Sequence, residues 1–351
     1  VVSDLKKLGK LVLVTLISLV TLEILLRVTA PYLGADVCTA LFRTYSNDKG
    51  GIYYCEPLSK CYFTLPNDHR RAAYNGHQWL HETDERGFRN PPGTAHEILI
   101  FGDSFIYGHG VEEPETAAAL LRAGHGWKIY NMARQGDSLW QQYILFRLWG
   151  QELKPKHIIL CVFGNDFNDI QAIHDSAALS DPPELKAGFI ERVRKNLEDP
   201  QVRYQFGNWL TTSYTYRLGL LANHRWHQPP PGTPPPGPTQ EQLQKAFAET
   251  SVYYTRVFED LLRRCRAMNC SVDVFFIDTG ASQDRWKWEV EHIQAFLQDL
   301  CARTGTPYFS TRSLLRDHPE LTLPNDGHLN PKGNQVLADF IAAKCSAEWK
   351  P

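Results

Sequence analysis

The chain opens on a hydrophobic block and then, from about residue 96, settles into short apolar runs that alternate with amphipathic stretches. HEILIF at 96–101 reads as a short buried strand, ETAAALLRA at 115–123 as a helix, and WKIYNM at 127–132 as a second strand. SLWQQYILFRLW at 138–149 places Leu139, Tyr143 and Phe146 on one side of a helix, and HIILCVF at 157–163 is a nearly continuous apolar strand. Later, Phe247, Tyr254, Val257 and Leu261 mark a long helix, and SVDVFFI at 271–277 a fourth strand. Trp286, Val290, Ile293, Leu297 and Leu300 mark another helix, and NQVLADFIAAKC at 334–345 the last. Strands alternating with helices predict an α/β class chain: one three-layer α/β/α sandwich around a central parallel sheet.

Two regions break this rhythm. Residues 31–95 are full of turn formers, as in NDKGG, LPNDH and NPPG, and read as an irregular lead-in packed on the main domain of residues 96–351. An insertion at about 171–241 ends in PPPGTPPPGP at 229–238, whose prolines favour extended backbone; it reads as a surface linker or as a partner-docking segment.

The opening block, LVLVTLISLVTLEILLRVTA at 11–30, would measure about 30 Å as a helix, enough to cross a hydrocarbon layer. It predicts a transmembrane anchor in contact with membrane lipid, against the competing readings of a cleaved signal peptide, an interfacial helix and a buried core helix. Glu23 and Arg27 are four apart and can pair on one helix face. Lys6, Lys7 and Lys10 precede the block and only Arg27 stands at its far end, so charge bias puts the N-terminus in the cytoplasm and the main domain in the periplasm or another extracytoplasmic space. Eight cysteines suit such a compartment, with Cys55/Cys61 and Cys265/Cys270 as candidate disulfide pairs.

Composition narrows the partners. With 37 basic and 39 acidic residues the net charge is -2, and no Lys/Arg run marks a nucleic-acid groove, so nucleic acid is excluded as a partner. No cysteine pair has C-x-x-C spacing and no histidines cluster beside them, so the reading includes no metal and no cofactor.

The chemistry-bearing residues fall where strands should end. In an open parallel sheet the crevice beyond the carboxyl ends of the strands is where ligands bind. Ser104 follows the first strand, Gly136 the second and Asn165 the third, and PNDGHLNPKG at 324–333 precedes the last helix. Ser104 needs a base to become a nucleophile; His328 can supply it, oriented by Asp326. The N–H groups of Ser104 and Gly136 and the side-chain amide of Asn165 can form an oxyanion hole. Gly102, Asp103 and Asp166 are read as shaping the site, and His109 and His125 as bystanders. Taken singly, each residue has a structural use: Ser104 as a cap, Asn165 bonding its own backbone, His328 on the surface.

GDSF at 102–105, the glycine of ARQGDS at 133–138, GND at 164–166 and DGHLN at 326–330 together resemble the SGNH hydrolases, the GDSL-type esterases and acyltransferases, in their membrane-anchored bacterial form. DERGFRN at 84–90 also looks like the segment that precedes the nucleophile strand in anchored members. The resemblance implies a flavodoxin-like sheet, Ser104 as nucleophile, Gly136 and Asn165 as oxyanion donors, and His328 with Asp326 as the base pair. Two departures stand out. Asn325 occupies the position three before the histidine where many members carry the aspartate, and Phe105 replaces the leucine of the GDSL name. The shorter Asp326-to-His328 spacing resembles bacterial members tied to polysaccharide acetylation.

Three functions follow as expectations: an anchored esterase or deacylase acting on an acyl ester of a glycan or lipid, an O-acyltransferase using the same site, or a silent accessory subunit with membrane protein complex partners.

Overall fold

A computed structural model of the chain describes residues 2–42, 52–167, 188–199, 212–227, 239–280 and 287–345. The proline-rich segment 229–238 and Trp286 lie outside the described residues.

The hydrophobic block forms helix α1, Val2–Thr29, long and apolar enough to cross a membrane. Its apolar side chains are exposed: Leu11, Val14 and Ile17 are all more than half accessible. Only its far end is packed, where Leu26 and Ala30 meet Cys38, Leu41 and Phe42 of α2, Ala35–Phe42. Glu23 and Arg27 pair at 2.8 Å, as their spacing predicts.

Two short hairpins stand among the loops of the described part of the lead-in. Tyr53–Cys55 (β1) and Tyr62–Thr64 (β2) pair antiparallel, and so do His69–Tyr74 (β3) and His77–Glu82 (β4). Asn75 and Gly76 make the second turn, both at positive φ (47° and 85°), which is the two-residue geometry an Asn-Gly pair favours. Cys55 lies opposite Tyr62, so Cys61, one residue on, points to the other face, and the two sulfurs cannot meet. Cys265 and Cys270 are neighbours, the Cys270 N–H donating to the Cys265 carbonyl at 2.9 Å, and all eight cysteines are free thiols.

The main sheet has five parallel strands. They are Ile98–Phe101 (β5), Ile129–Asn131 (β6), His157–Phe163 (β7), Ser271–Ile277 (β8) and Tyr308–Ser310 (β9), ordered β6-β5-β7-β8-β9. This is the flavodoxin-like 2-1-3-4-5 order, with its switch point beside the first strand. β9 was not foreseen; it is a three-residue edge strand, half-buried throughout.

Strand alternation feeds two cores. Leu99, Phe101, Ile158, Leu160, Val162, Val274 and Phe276 face one side, where they meet Tyr143 of α5 (Leu139–Leu145), Tyr254 and Val257 of a long helix (Gln240–Ala267) and Leu297 of another (Lys287–Thr304). Ile98, Ile100, Ile159, Cys161 and Phe275 face the other side, against Leu121 of α4 (Ala117–His125) and against Leu337 and Ile341 of the last helix, Pro331–Lys344. The period of two along each strand thus builds both layers of helices.

Several boundaries move by a few residues, each for a local reason. α4 is Ala117–His125, starting two residues late because the Thr116 hydroxyl caps it by accepting the Ala119 N–H. α5 gives way at Phe146 to a wider π turn through Gly150, closed by Gln151 N–H donating to the Phe146 carbonyl. The insertion also holds structure: Phe189–Glu198 and Tyr214–His227 are helices, and Glu23 of α1 accepts the Tyr214 and Thr215 N–H groups at the start of the second.

Candidate active site

β5 ends at Phe101, and the chain turns at once. A Cβ on Gly102 would lie 2.5 Å from Ile106 Cγ1 and 3.3 Å from Cys161 Cβ, so only glycine lets the turn sit this close to the sheet. Asp103 then caps the one-turn helix Ser104–Tyr107 (α3) by accepting the Phe105 N–H at 3.0 Å. Because Asp103 is the cap, the Ser104 hydroxyl is left for another partner.

That partner is His328. Its Nε2 lies 2.7 Å from Ser104 Oγ, and its Nδ1 lies 2.5 Å from Asp326 Oδ1. The loop carrying both residues is braced by the Leu323 N–H to the His328 carbonyl (2.8 Å) and by a bridge between Thr322 and Leu329. Asn325 takes a left-handed backbone (φ 59°), a conformation that asparagine tolerates better than most residues, and this leaves Asp326 to face the ring. Asp326 also accepts the His328 N–H and, from the tip of the β3–β4 hairpin, Asn75 Nδ2, both at 3.0 Å. The lead-in therefore reaches the aspartate directly.

Charge follows from these contacts. Burial opposes ionisation of Asp326, but the nearby His109 imidazole and the hydrogen bonds and charge of His328 outweigh it and hold its carboxyl well below the usual range. A carboxylate there keeps the proton on His328 Nδ1 and leaves Nε2 free to accept from Ser104. Burial pushes Asp103 the other way, up to about 6.

His109, read from the sequence as a bystander, belongs to the site. Its ring stacks on His328 at 4.2 Å between centroids, with Trp79 (4.6 Å) and Tyr74 (5.5 Å) around it. Gln135 Nε2 meets its Nδ1 at 2.6 Å, Tyr53 OH in turn donates to Gln135, and its Nε2 lies 3.7 Å from Asp326 Oδ2. Burial lowers its pKa to about 4, so it packs as a neutral ring. The signal was its setting in Gly-His-Gly directly after α3, with Gly108 and Gly110 both at positive φ. His109, Asp326 and His328 bring ligand-capable atoms together, but the two histidines are already engaged by Gln135 and Ser104. His125 is remote from this cluster, facing Asp339 of the last helix.

Gly136 and Asn165 sit on the loops after β6 and β7, at the same edge of the sheet as Ser104. Gly136 is exposed with φ 73°, and a Cβ there would meet open space. Asn165 is half-buried, and the following Asp166 accepts the Phe163 N–H at 3.4 Å, tying the loop back to its strand. Arg134 and Asp137 form a buried ion pair beneath the Gly136 turn.

The family described as GDSL-like lipase/acylhydrolase matches residues 100–336. The chain belongs to the GDSL/SGNH family. The match runs from the end of β5 to the last helix and contains Ser104, Gly136, Asn165, Asp326 and His328, while the hairpin that supplies Asn75 lies outside it. No curated protein matches the chain. Among solved structures, TesA is 13% identical over 71% of this chain and 97% of its own, with a TM-score of 0.39. The esterase EstA from Pseudoalteromonas sp. is 13% identical over 71% and 95%, with a TM-score of 0.38. A catalytic mutant of Axe2, an acetylxylan esterase from Geobacillus stearothermophilus, is 11% identical over 75% and 99%, with a TM-score of 0.39. In this GDSL/SGNH member the family assignment rests on the sequence match, and the fold on its own strand order.

Proposed function

We propose that the protein is a membrane-anchored, extracytoplasmic serine esterase or deacylase that acts on acyl esters through an acyl-enzyme. The observation that carries the reading is the continuous Ser104–His328–Asp326 hydrogen-bonded chain, at 2.7 and 2.5 Å. Ser104 Oγ attacks the acyl carbon as its proton passes to His328 Nε2. Negative charge on the carbonyl oxygen is met by the N–H groups of Ser104 and Gly136 and by the Asn165 amide. His328 then protonates the departing alcohol, and the acyl group stays on Ser104. Water, deprotonated through the same Nε2, releases the acid and restores the hydroxyl. Asp326 keeps the imidazole in the productive tautomer throughout.

The exposed apolar length of α1 supports anchoring, and the lysines before it support an outside domain. An intact triad geometry speaks against a silent accessory subunit. Transfer of the acyl group to a glycan hydroxyl would use the same first half-reaction, and the Asp326-to-His328 spacing favours it as the second reading. Purified full-length chain should hydrolyse small acyl esters, and Ser104→Ala should lower kcat by about 10⁴-fold or more while leaving the melting temperature in place. Equal turnover by the variant sinks the proposal. Product analysis with an added glycan separates hydrolysis from transfer.

A further inference from the structure

At the opposite edge of the sheet, where β7 and β8 begin and the last helix ends, lies a second cluster built from a histidine, an aspartate and a third group. His157 opens β7, Asp273 is the third residue of β8, and Cys345 directly follows the last helix; all three are buried. His157 Nε2 lies 3.3 Å from Asp273 Oδ2, Cys345 Sγ lies 3.3 Å from that same oxygen, and the sulfur lies 4.0 Å from the imidazole nitrogen.

These spacings are those of one face of a small coordination tetrahedron. Zinc bonds of about 2.0 Å to nitrogen and oxygen and about 2.3 Å to sulfur, set at tetrahedral angles, give ligand-to-ligand edges of about 3.3 to 3.6 Å. Two of the three edges here fall at that length, and the third closes by a few tenths of an ångström. Mixed nitrogen, oxygen and sulfur donors suit zinc better than a hard cation such as magnesium. A thiolate and a carboxylate would also balance its charge in a buried place. The other imidazole nitrogen, His157 Nδ1, lies 2.7 Å from Ser271 Oγ, the outer hydrogen bond that orients a ligating histidine. His157, Asp273 and Ser271 also line a cavity of about 430 Å³, an approach for the ion and room for a water as fourth ligand.

We propose that His157, Asp273 and Cys345 form a zinc site that fastens the end of the last helix to the start of β7 and β8. Binding forms Zn–N, Zn–O and Zn–S bonds and releases the Cys345 thiol proton to solvent. The imidazole proton moves to Nδ1, where Ser271 Oγ accepts it. In the metal-free state the trio is a hydrogen-bonded group, with the thiol and the imidazole N–H both donating to Asp273.

The site does not depend on the esterase reading, and its test does not measure catalysis. Full-length chain purified in detergent without chelator, from zinc-supplemented medium, should carry about one zinc per chain by elemental analysis. His157→Ala and Cys345→Ala should each reduce that to background, and His328→Asn should leave it unchanged. Because an alanine variant could fail to fold, chelator-stripped wild type should also be titrated with cobalt. A thiolate-to-cobalt charge-transfer band is expected, absent in Cys345→Ser, together with a higher melting temperature on zinc addition in wild type alone. No bound zinc and no cobalt band overturns the proposal. So does metal that survives Cys345→Ala and is lost in His328→Asn, which would place the ion at the Ser104 site.

Discussion

The two ends of the central sheet use nearly the same side chains to opposite effect. At the carboxyl edge the histidine is in the middle: His328 stands between Ser104 and Asp326, with Nε2 toward the hydroxyl and Nδ1 toward the carboxylate. At the amino edge the aspartate is in the middle: Asp273 receives both His157 and Cys345, so the three converge on one point. The order of contacts separates a row from a convergent trio, and residue type alone does not. The settings differ as well. The carboxyl-edge residues sit on loops after strands, held by a hairpin from another part of the chain, whereas His157 and Asp273 are strand residues fixed by the sheet ladder itself.

The comparison breaks most sharply at Asp326. Asp326→Asn keeps the shape but removes the carboxylate that fixes the His328 tautomer, and should lower kcat for ester hydrolysis by about 10⁴-fold, read in steady-state assays on folded protein. A variant that keeps wild-type turnover would mean that the carboxylate does not set the His328 tautomer. Asn165→Ala should cost a further-reaching but smaller amount, about 10² to 10³ in kcat with little change in KM, since the amide acts on charge that develops only during attack. An effect confined to KM would remove Asn165 from the oxyanion hole.

His109→Gln sharpens the comparison more gently. The stacked ring keeps His328 in place, so its loss should reduce kcat by at most about 100-fold. It should also change the response to acid. His109 is held near 4 in the fold and titrates near 6.5 when unfolded, so between those values the unfolded chain binds more protons and stability falls as pH falls. Wild type should lose about 3 kcal/mol more than the variant across that window, read by chemical denaturation at each pH. Parallel curves would show that the ring's burial carries no such cost.

Much of this was legible from the chain. The four long or strongly apolar strands announced themselves, because a strand covered on both faces needs no polar alternation, as in HIILCVF and SVDVFFI. Tyr308–Ser310 did not, being three half-buried residues whose pairing with β8 comes only from the tertiary fold. The Asn75-Gly76 turn was visible and went unused, since the turn formers around it suggested irregular chain. Ser104, Asp326 and His328 could be placed at one edge by topology. His109 could not, because what makes it part of the site is Tyr74, Trp79 and Gln135 packing around it from three separate segments. The His157, Asp273 and Cys345 cluster is likewise an outcome of strand register, invisible in sequence spacing.

The helix α1 has a mechanical meaning beyond its length. Glu23 grips the start of the insertion helix, Gln78 Nε2 on the β3–β4 hairpin donates to the Pro31 carbonyl at 2.8 Å, and the tip of that hairpin holds Asp326. Two side-chain hydrogen bonds, from Gln78 and from Asn75, thus join the segment after α1 to the loop of Asp326. The end of the apolar helix is thereby coupled, through a hairpin that lies outside the family match, to the loop that carries Asp326 and His328.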